Sequence, residues 1–299
     1  MIKKTAAREI ILKQVGVLLL YILMSSATNA QSKKDNTLLW QITGNNLQRP
    51  SYIFGTFHLL CKEDIHFSDQ LKQALLSVDT VYMELKIDDP SAVAAVMQQM
   101  KMKGGTTLKD LYTDSEYQRI KTFFTDSLQM PLDAFAQYKP YFLVAAIYPL
   151  LLPCKDVSGV EEQLITLAKQ DNKSIEGLET MEFQAAVLDS IPYAEQAKDL
   201  LRSVDSMDQN RKEFTAMLDV YKRQQIDKIE GLFEKSEFGI EDHEDLMVDE
   251  RNINWVKQLN TIMKNESVFV AVGTGHLVGP HGLIALLRKQ GYTVQPMKN

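Results

Sequence analysis

Apolar positions along this chain change rhythm several times, and each change marks an element. Residues 38–43 and 51–54 are short apolar, β-prone runs separated by Gly44-Asn45-Asn46, which predicts a pair of strands joined by a turn. Across 67–78 the apolar residues Leu71, Leu75, Leu76 and Val78 fall at helical spacing with Ser68 placed to cap, and 80–85 returns to a compact β-prone run. From 90 to 153 the pattern is helical and rich in Met, Ala and Leu, broken at Gly104-Gly105, Pro131 and Pro140. A helix at 161–169, a short strand at 174–175 and several helices over 181–263 follow. The chain closes on a strand at 267–272, a helix at 280–290 between Gly279-Pro280 and Gly291, and a strand at 292–296. Strands alternating with helices predict an α/β fold: a mixed, mainly parallel central sheet with flanking helices and a large helical insertion.

The first thirty residues stand apart from that pattern. Lys3, Lys4, Arg8 and Lys13 form a basic lead, 15–24 is apolar, and 25–30 is small-residued, the build of a secretory signal peptide with cleavage expected after Ala30. An uncleaved single anchor is the other reading of this segment; no later stretch reaches the about 18 apolar residues a span needs. The expectation is therefore an exported protein, periplasmic or extracellular, whose residues 31–299 form one domain with insertions at about 90–153 and 181–264. Without residues 1–30 the net charge moves from -6 to about -9. No Lys/Arg cluster interleaved with aromatics occurs, so nucleic acid is not an expected partner. Two cysteines, Cys61 and Cys154, are free to pair in an oxidising compartment, or to serve as small buried apolar residues.

Candidate chemistry enters with a phrase used twice: Gly55-Thr56-Phe57-His58-Leu59 and Gly273-Thr274-Gly275-His276-Leu277, each directly after a predicted strand. In open α/β sheets ligands gather beyond the carboxyl ends of the strands, where these histidines should lie. Glu84 ends the third predicted strand, and Glu176 or Glu179 the fourth. Two imidazoles and a carboxylate suit a divalent ion that keeps an open position. Spacing alone leaves this level with hydrogen-bonded structural histidines. Gly273-x-Gly275-x-x-x-Gly279 is followed by only one short strand, with no acidic residue closing it to hold a ribose, and the Gly-x-Ser-x-Gly and phosphate-loop motifs are absent. His66, His243 and His281 read as surface or capping residues.

Together the paired histidine motifs, Glu84, Gly177-Leu178-Glu179-Thr180, Glu250-Arg251-Asn252 with Trp255, and the closing Gly-His-Leu-x-Gly resemble the TraB/GumN family over nearly the whole chain after residue 30. The family is similar to the Tiki metalloproteases and, more distantly, to erythromycin esterases. The resemblance implies a metal site at His58, Glu84 and His276, holding a divalent ion such as Zn, Mn or Co. It places Glu161, Glu179 and Arg251 in the same crevice as catalytic candidates. Glu179 is equally suited to cap the following helix, and Arg251 to pair with Glu250 or Glu161 rather than with a substrate carboxylate. The expected function is a metal-dependent hydrolase acting on a peptide or small-molecule substrate. A binding protein of the same fold and a metal-independent, esterase-like hydrolase are the alternatives.

Overall fold

The computed structural model describes residues 36–86, 99–233 and 243–299. The expected signal sequence and the first residues of the helical insertion lie outside them. The strands are β1 (Leu39–Gly44), β2 (Ser51–Thr56), β3 (Leu60–Cys61), β4 (Thr80–Leu85), β5 (Val157–Ser158), β6 (Ser174–Glu179), β7 (Val268–Gly273) and β8 (Tyr292–Pro296). Six of them form one sheet in the order β6-β4-β7-β2-β1-β8. The run β6-β4-β7-β2 is parallel, and β1 and β8 extend it in antiparallel fashion. The fold is thus α/β with a mainly parallel sheet.

Side-chain alternation explains why β7 lies in the middle. Phe269 and Ala271 join Phe54, Met83, Leu75 and Leu164 in a core on one face. Val268, Val270 and Val272 join Ile53, Trp255, Leu259 and Leu287 on the other. A strand apolar on both faces must be covered on both, as central parallel strands are. The stretch between β4 and β5 contributes helices at Leu108–Leu111, Asp114–Leu128 and Pro140–Ile147. With Leu200 these build a third apolar cluster around Phe124 and Leu143.

Ser68 caps the helix Asp69–Ser77 as its position suggested, its hydroxyl accepting from the Leu71 N–H at 3.0 Å. Two boundaries differ most from the pattern. β6 runs on to Glu179 because it stays paired with β4 as far as Leu85. The last helix begins at Leu283, not at Pro280. Gly279, at φ +80°, accepts from the Gly282 N–H, so Pro280 sits inside a tight turn that precedes the helix.

A second, two-stranded sheet joins Leu60 and Cys61 to Ser158 and Val157. Strands of two residues carry no periodicity, and the sequence pattern gave no sign of them. A Cys61–Cys154 disulfide closes beside it, with Cα atoms 5.9 Å apart. Among the described residues no helix is long and apolar enough to cross a membrane.

Candidate active site

The two copies of the repeated motif lie side by side. β2 and β7 are parallel neighbours, with Gly55 opposite Val272 and Thr56 opposite Gly273. Gly55 has no side chain because none fits: a Cβ there would lie 2.9 Å from Thr274 Oγ1 and 3.0 Å from Leu277 Cδ1. Through that gap Thr274 donates its hydroxyl to the Thr56 carbonyl at 2.7 Å. The strands then end together and deliver both histidines to one crevice.

His58 is held by Glu161. The chain turns from β2 into β3, whose pairing with β5 brings the start of the helix Val160–Gln170 alongside, with Val160 N–H donating to Phe57 O at 3.1 Å. Gly159 permits this approach, since a Cβ would meet His58 O at 2.9 Å. Glu161 sits in the first helical turn, where the helix dipole favours a carboxylate. Its Oε1 receives the Thr56 hydroxyl at 2.6 Å and lies 2.7 Å from His58 Nδ1. That contact leaves His58 Nε2 facing the crevice.

His276 is held differently. It follows β7 in a short 3₁₀ turn, Thr274–Leu277. Its Nδ1 is 2.7 Å from Asn252 Oδ1, and the Asn252 amide nitrogen donates to the carbonyls of His276 and His281. An amide oxygen only accepts, so Nδ1 carries the proton and Nε2 keeps its lone pair. Arg251, one residue earlier on the helix Glu250–Asn265, places Nη1 3.2 Å from that Nε2. The same guanidinium pairs with Glu84 at 2.6 Å and with both oxygens of Glu179, and donates to Met247 O at 2.8 Å. A turn of π-helix, Asp245–Asp249, precedes that helix and supplies the Met247 carbonyl. Trp255 completes the group: its Nε1–H donates to Glu179 Oε1 at 2.8 Å, and its ring lies 4.4 Å from that of His276.

The surroundings charge these groups unequally. Burial opposes ionisation of Glu84, but His276, Arg251, His58 and the Gly273 N–H together draw its pKa down to about 2. His276 is itself driven down to about 3, by burial and by the nearby cations Arg251 and His58 against the pull of Glu84. At neutral pH His276 is therefore neutral, and Glu84 is kept ionised by the 2.6 Å pair with Arg251, the charge of His58 and the Gly273 N–H. Burial would lower His58 too, yet its bond to Glu161 and the charges of Glu161 and Glu84 raise it to about 9. Because 74% of the His58 side chain is open to solvent, water screens part of that attraction. Glu161 is correspondingly shifted down, burial being outweighed by its bonds to His58 and Thr56.

Around this polar floor the crevice has an apolar wall of Phe57, Tyr148, Phe214 and Met217, with Glu230 and Glu244 also lining it. The free space is about 230 Å³. Gly273 lies at its base: a Cβ there would be 3.3 Å from Glu84 Oε1 and 3.7 Å from both His58 Nε2 and His276 Cδ2. The three donors thus surround one small cradle, and two imidazole nitrogens with a carboxylate suit a borderline divalent ion. Each imidazole is oriented through its other nitrogen, as metal-binding histidines are. Among the described residues no three such side chains are gathered to binding distance, and Arg251 stands against His276 Nε2. Gly273→Ala should lower turnover by roughly 10-fold or more by filling the cradle, at a stability cost of about 1 kcal/mol. Turnover and thermal melts of the two proteins check this; wild-type turnover would show the cradle is not used.

The six residues singled out in the sequence form two hydrogen-bonded groups that meet at Gly273: His58 with Glu161, and Glu84, Glu179 and His276 around Arg251. Glu179 does not cap the next helix, which is capped by the Thr180 hydroxyl accepting from Phe183 N–H. It faces Arg251 and Trp255 instead. Arg251 pairs with Glu84 and Glu179 rather than with Glu250 or Glu161. His281 contacts Asp249, His243 lies 3.4 Å from Glu195, and His66 enters neither group. Asn252 is a site residue to which the sequence reading assigns no role. The signal was present: Asn252, Trp255, Val256 and Leu259 form one buried helical stripe, and an amide there needs a partner.

The family model for TraB/PrgY/gumN matches residues 38–296. Metalloprotease TIKI1 of Danio rerio is 33% identical over 96 residues, covering 32% of this chain and 19% of that protein. Metalloprotease TIKI2 of Danio rerio is 21% identical over 319 aligned positions, covering 88% of this chain and 62% of that protein. An uncharacterized protein of Treponema pallidum (strain Nichols) is 21% identical over 276, covering 85% and 80%. The chain therefore spans less than two thirds of either of these Tiki relatives. No solved structure matches it.

Proposed function

The chain belongs to the TraB/PrgY/gumN family, and from that premise we propose that it is an exported metal-dependent hydrolase acting on peptides. The observation that carries the reading is the convergence of His58, Glu84 and His276 on the Gly273 cradle, in a chain similar to metalloproteases. His58 Nε2, His276 Nε2 and the Glu84 carboxylate are the groups that would hold the ion. When bound, such an ion polarises a carbonyl and acidifies its water.

The chain's own groups do the remaining work. Glu161 orients His58 through Nδ1 and is the candidate proton acceptor of this reading. Glu179, enclosed by Arg251 and Trp255, positions the arginine rather than taking a proton. The apolar wall excludes water and offers a surface to a peptide side chain. The disulfide supports an oxidising compartment, in line with the basic, apolar and small-residue order of residues 1–30. Purified protein should contain about one equivalent of divalent metal and cleave members of a mixed peptide library, with turnover lost to a chelator and restored by metal. Chelator-insensitive cleavage would instead favour the metal-independent hydrolase, and a folded protein that cleaves nothing a binding role.

A further inference from the structure

Arg251 uses every N–H it has. Nε and one Nη2 hydrogen go to Glu179, the other Nη2 hydrogen to Glu84, one Nη1 hydrogen to Met247 O and the last to His276 Nε2. A guanidinium has five such donors in a fixed fork, so none is left for a substrate carboxylate. The bonds are unequal. Those to Glu84 and Glu179 join opposite charges, whereas the contact to His276 Nε2, at 3.2 Å, is the longest and ends on a neutral acceptor. Asn252 fixes the imidazole through Nδ1, so the ring does not turn away and a cation must reach Nε2 from the side where Arg251 stands.

We propose that Arg251 is an internal competitor for the divalent ion, filling the His276 position and compensating Glu84 while the site is empty. This rests on the metal-dependent reading above. Its charge keeps two buried carboxylates and a neutral imidazole assembled, and uptake of an ion displaces one hydrogen bond while four remain. The arginine thus preserves the site's geometry in the absence of metal, at the expense of affinity for it.

The test is Zn²⁺ binding, read by competition with a chromophoric chelator and not by activity. Arg251→Gln should bind Zn²⁺ at least about tenfold more tightly than wild type, since both the competing N–H and a like charge are gone. Arg251→Lys, which keeps the charge without the fork, should fall between. In wild type, ¹⁵N-detected arginine side-chain spectra should show the Arg251 Nη signals moving as Zn²⁺ is added, an arm that does not depend on a variant folding. Unchanged or weaker binding by a folded Arg251→Gln protein, or stationary Arg251 signals at saturating Zn²⁺, overturns the competitor role alone. Absence of Zn²⁺ binding in both wild type and variants overturns the metal reading itself, and this proposal with it.

Discussion

His58→Ala should lower peptide turnover by more than about 100-fold, because a direct ligand ought to matter more than the partners behind it, whose loss typically costs about 10–100-fold. The same change should move stability by no more than about 1 kcal/mol. That separation arises from where the ring sits: 74% of the His58 side chain is solvent-accessible, and Thr56 still donates to Glu161 when the imidazole is gone. His276→Ala makes a poorer test. It leaves Asn252 and an Arg251 N–H without a partner in a buried site, so lost folding and lost chemistry would be mixed. Metal content, turnover and thermal melts of His58→Ala together decide the matter. Turnover within threefold of wild type would remove His58 from the chemistry.

Reduction of Cys61–Cys154, or its replacement by two alanines, should destabilise the protein by about 4–5 kcal/mol and lower Tm by roughly 10–20 °C. The bond closes a span of 93 residues, and the cost of leaving such a loop unclosed in the unfolded chain is of that order. Activity should fall before global unfolding. The bridge clamps β3 to β5, the same small sheet that sets His58 beside Glu161, with Lys62 N–H donating to Asp156 O and Val160 N–H to Phe57 O. Melts and turnover with and without reductant, at a temperature where the reduced protein is still folded, measure both effects. Equal activity in the two states would show that the clamp matters for stability only.

The parts of this molecule that follow local rules were legible in its sequence. Ser68 caps its helix, β4 spans the expected residues, and the two histidines lie just beyond strand ends, although each motif begins within its strand. The position of each motif at a strand end predicts that the two meet, and the parallel pairing of β2 with β7 supplies the geometry. What local pattern does not carry is partner choice across long separations. That Glu161 rather than Glu179 meets His58 depends on a two-residue strand pair and a disulfide. That Arg251 turns to Glu84 and Glu179 rather than Glu250 depends on which face of its helix packs on the sheet. Asn252 was visible as a polar position in an apolar stripe, yet its partner His276 lies 24 residues on, beyond any helical spacing. Pro280 shows the opposite error: a residue well suited to begin a helix is used in a turn, because positive φ at Gly279 folds the chain back first.

The place of β7 in the sheet also fixes when this protein can become itself. It stands between β4 and β2, which touch each other only through it, yet it is the second-last strand to be synthesised. Until residues 268–273 take their place, β4 with β6 and β2 with β1 are fragments with open edges, and His58 has no counterpart. Strand insertion between distant segments is slow, and exposed edges invite mispairing while they wait. The late strand is therefore the keystone of the chain: a truncation or a proteolytic cut ahead of Val268 would not trim the fold but divide it.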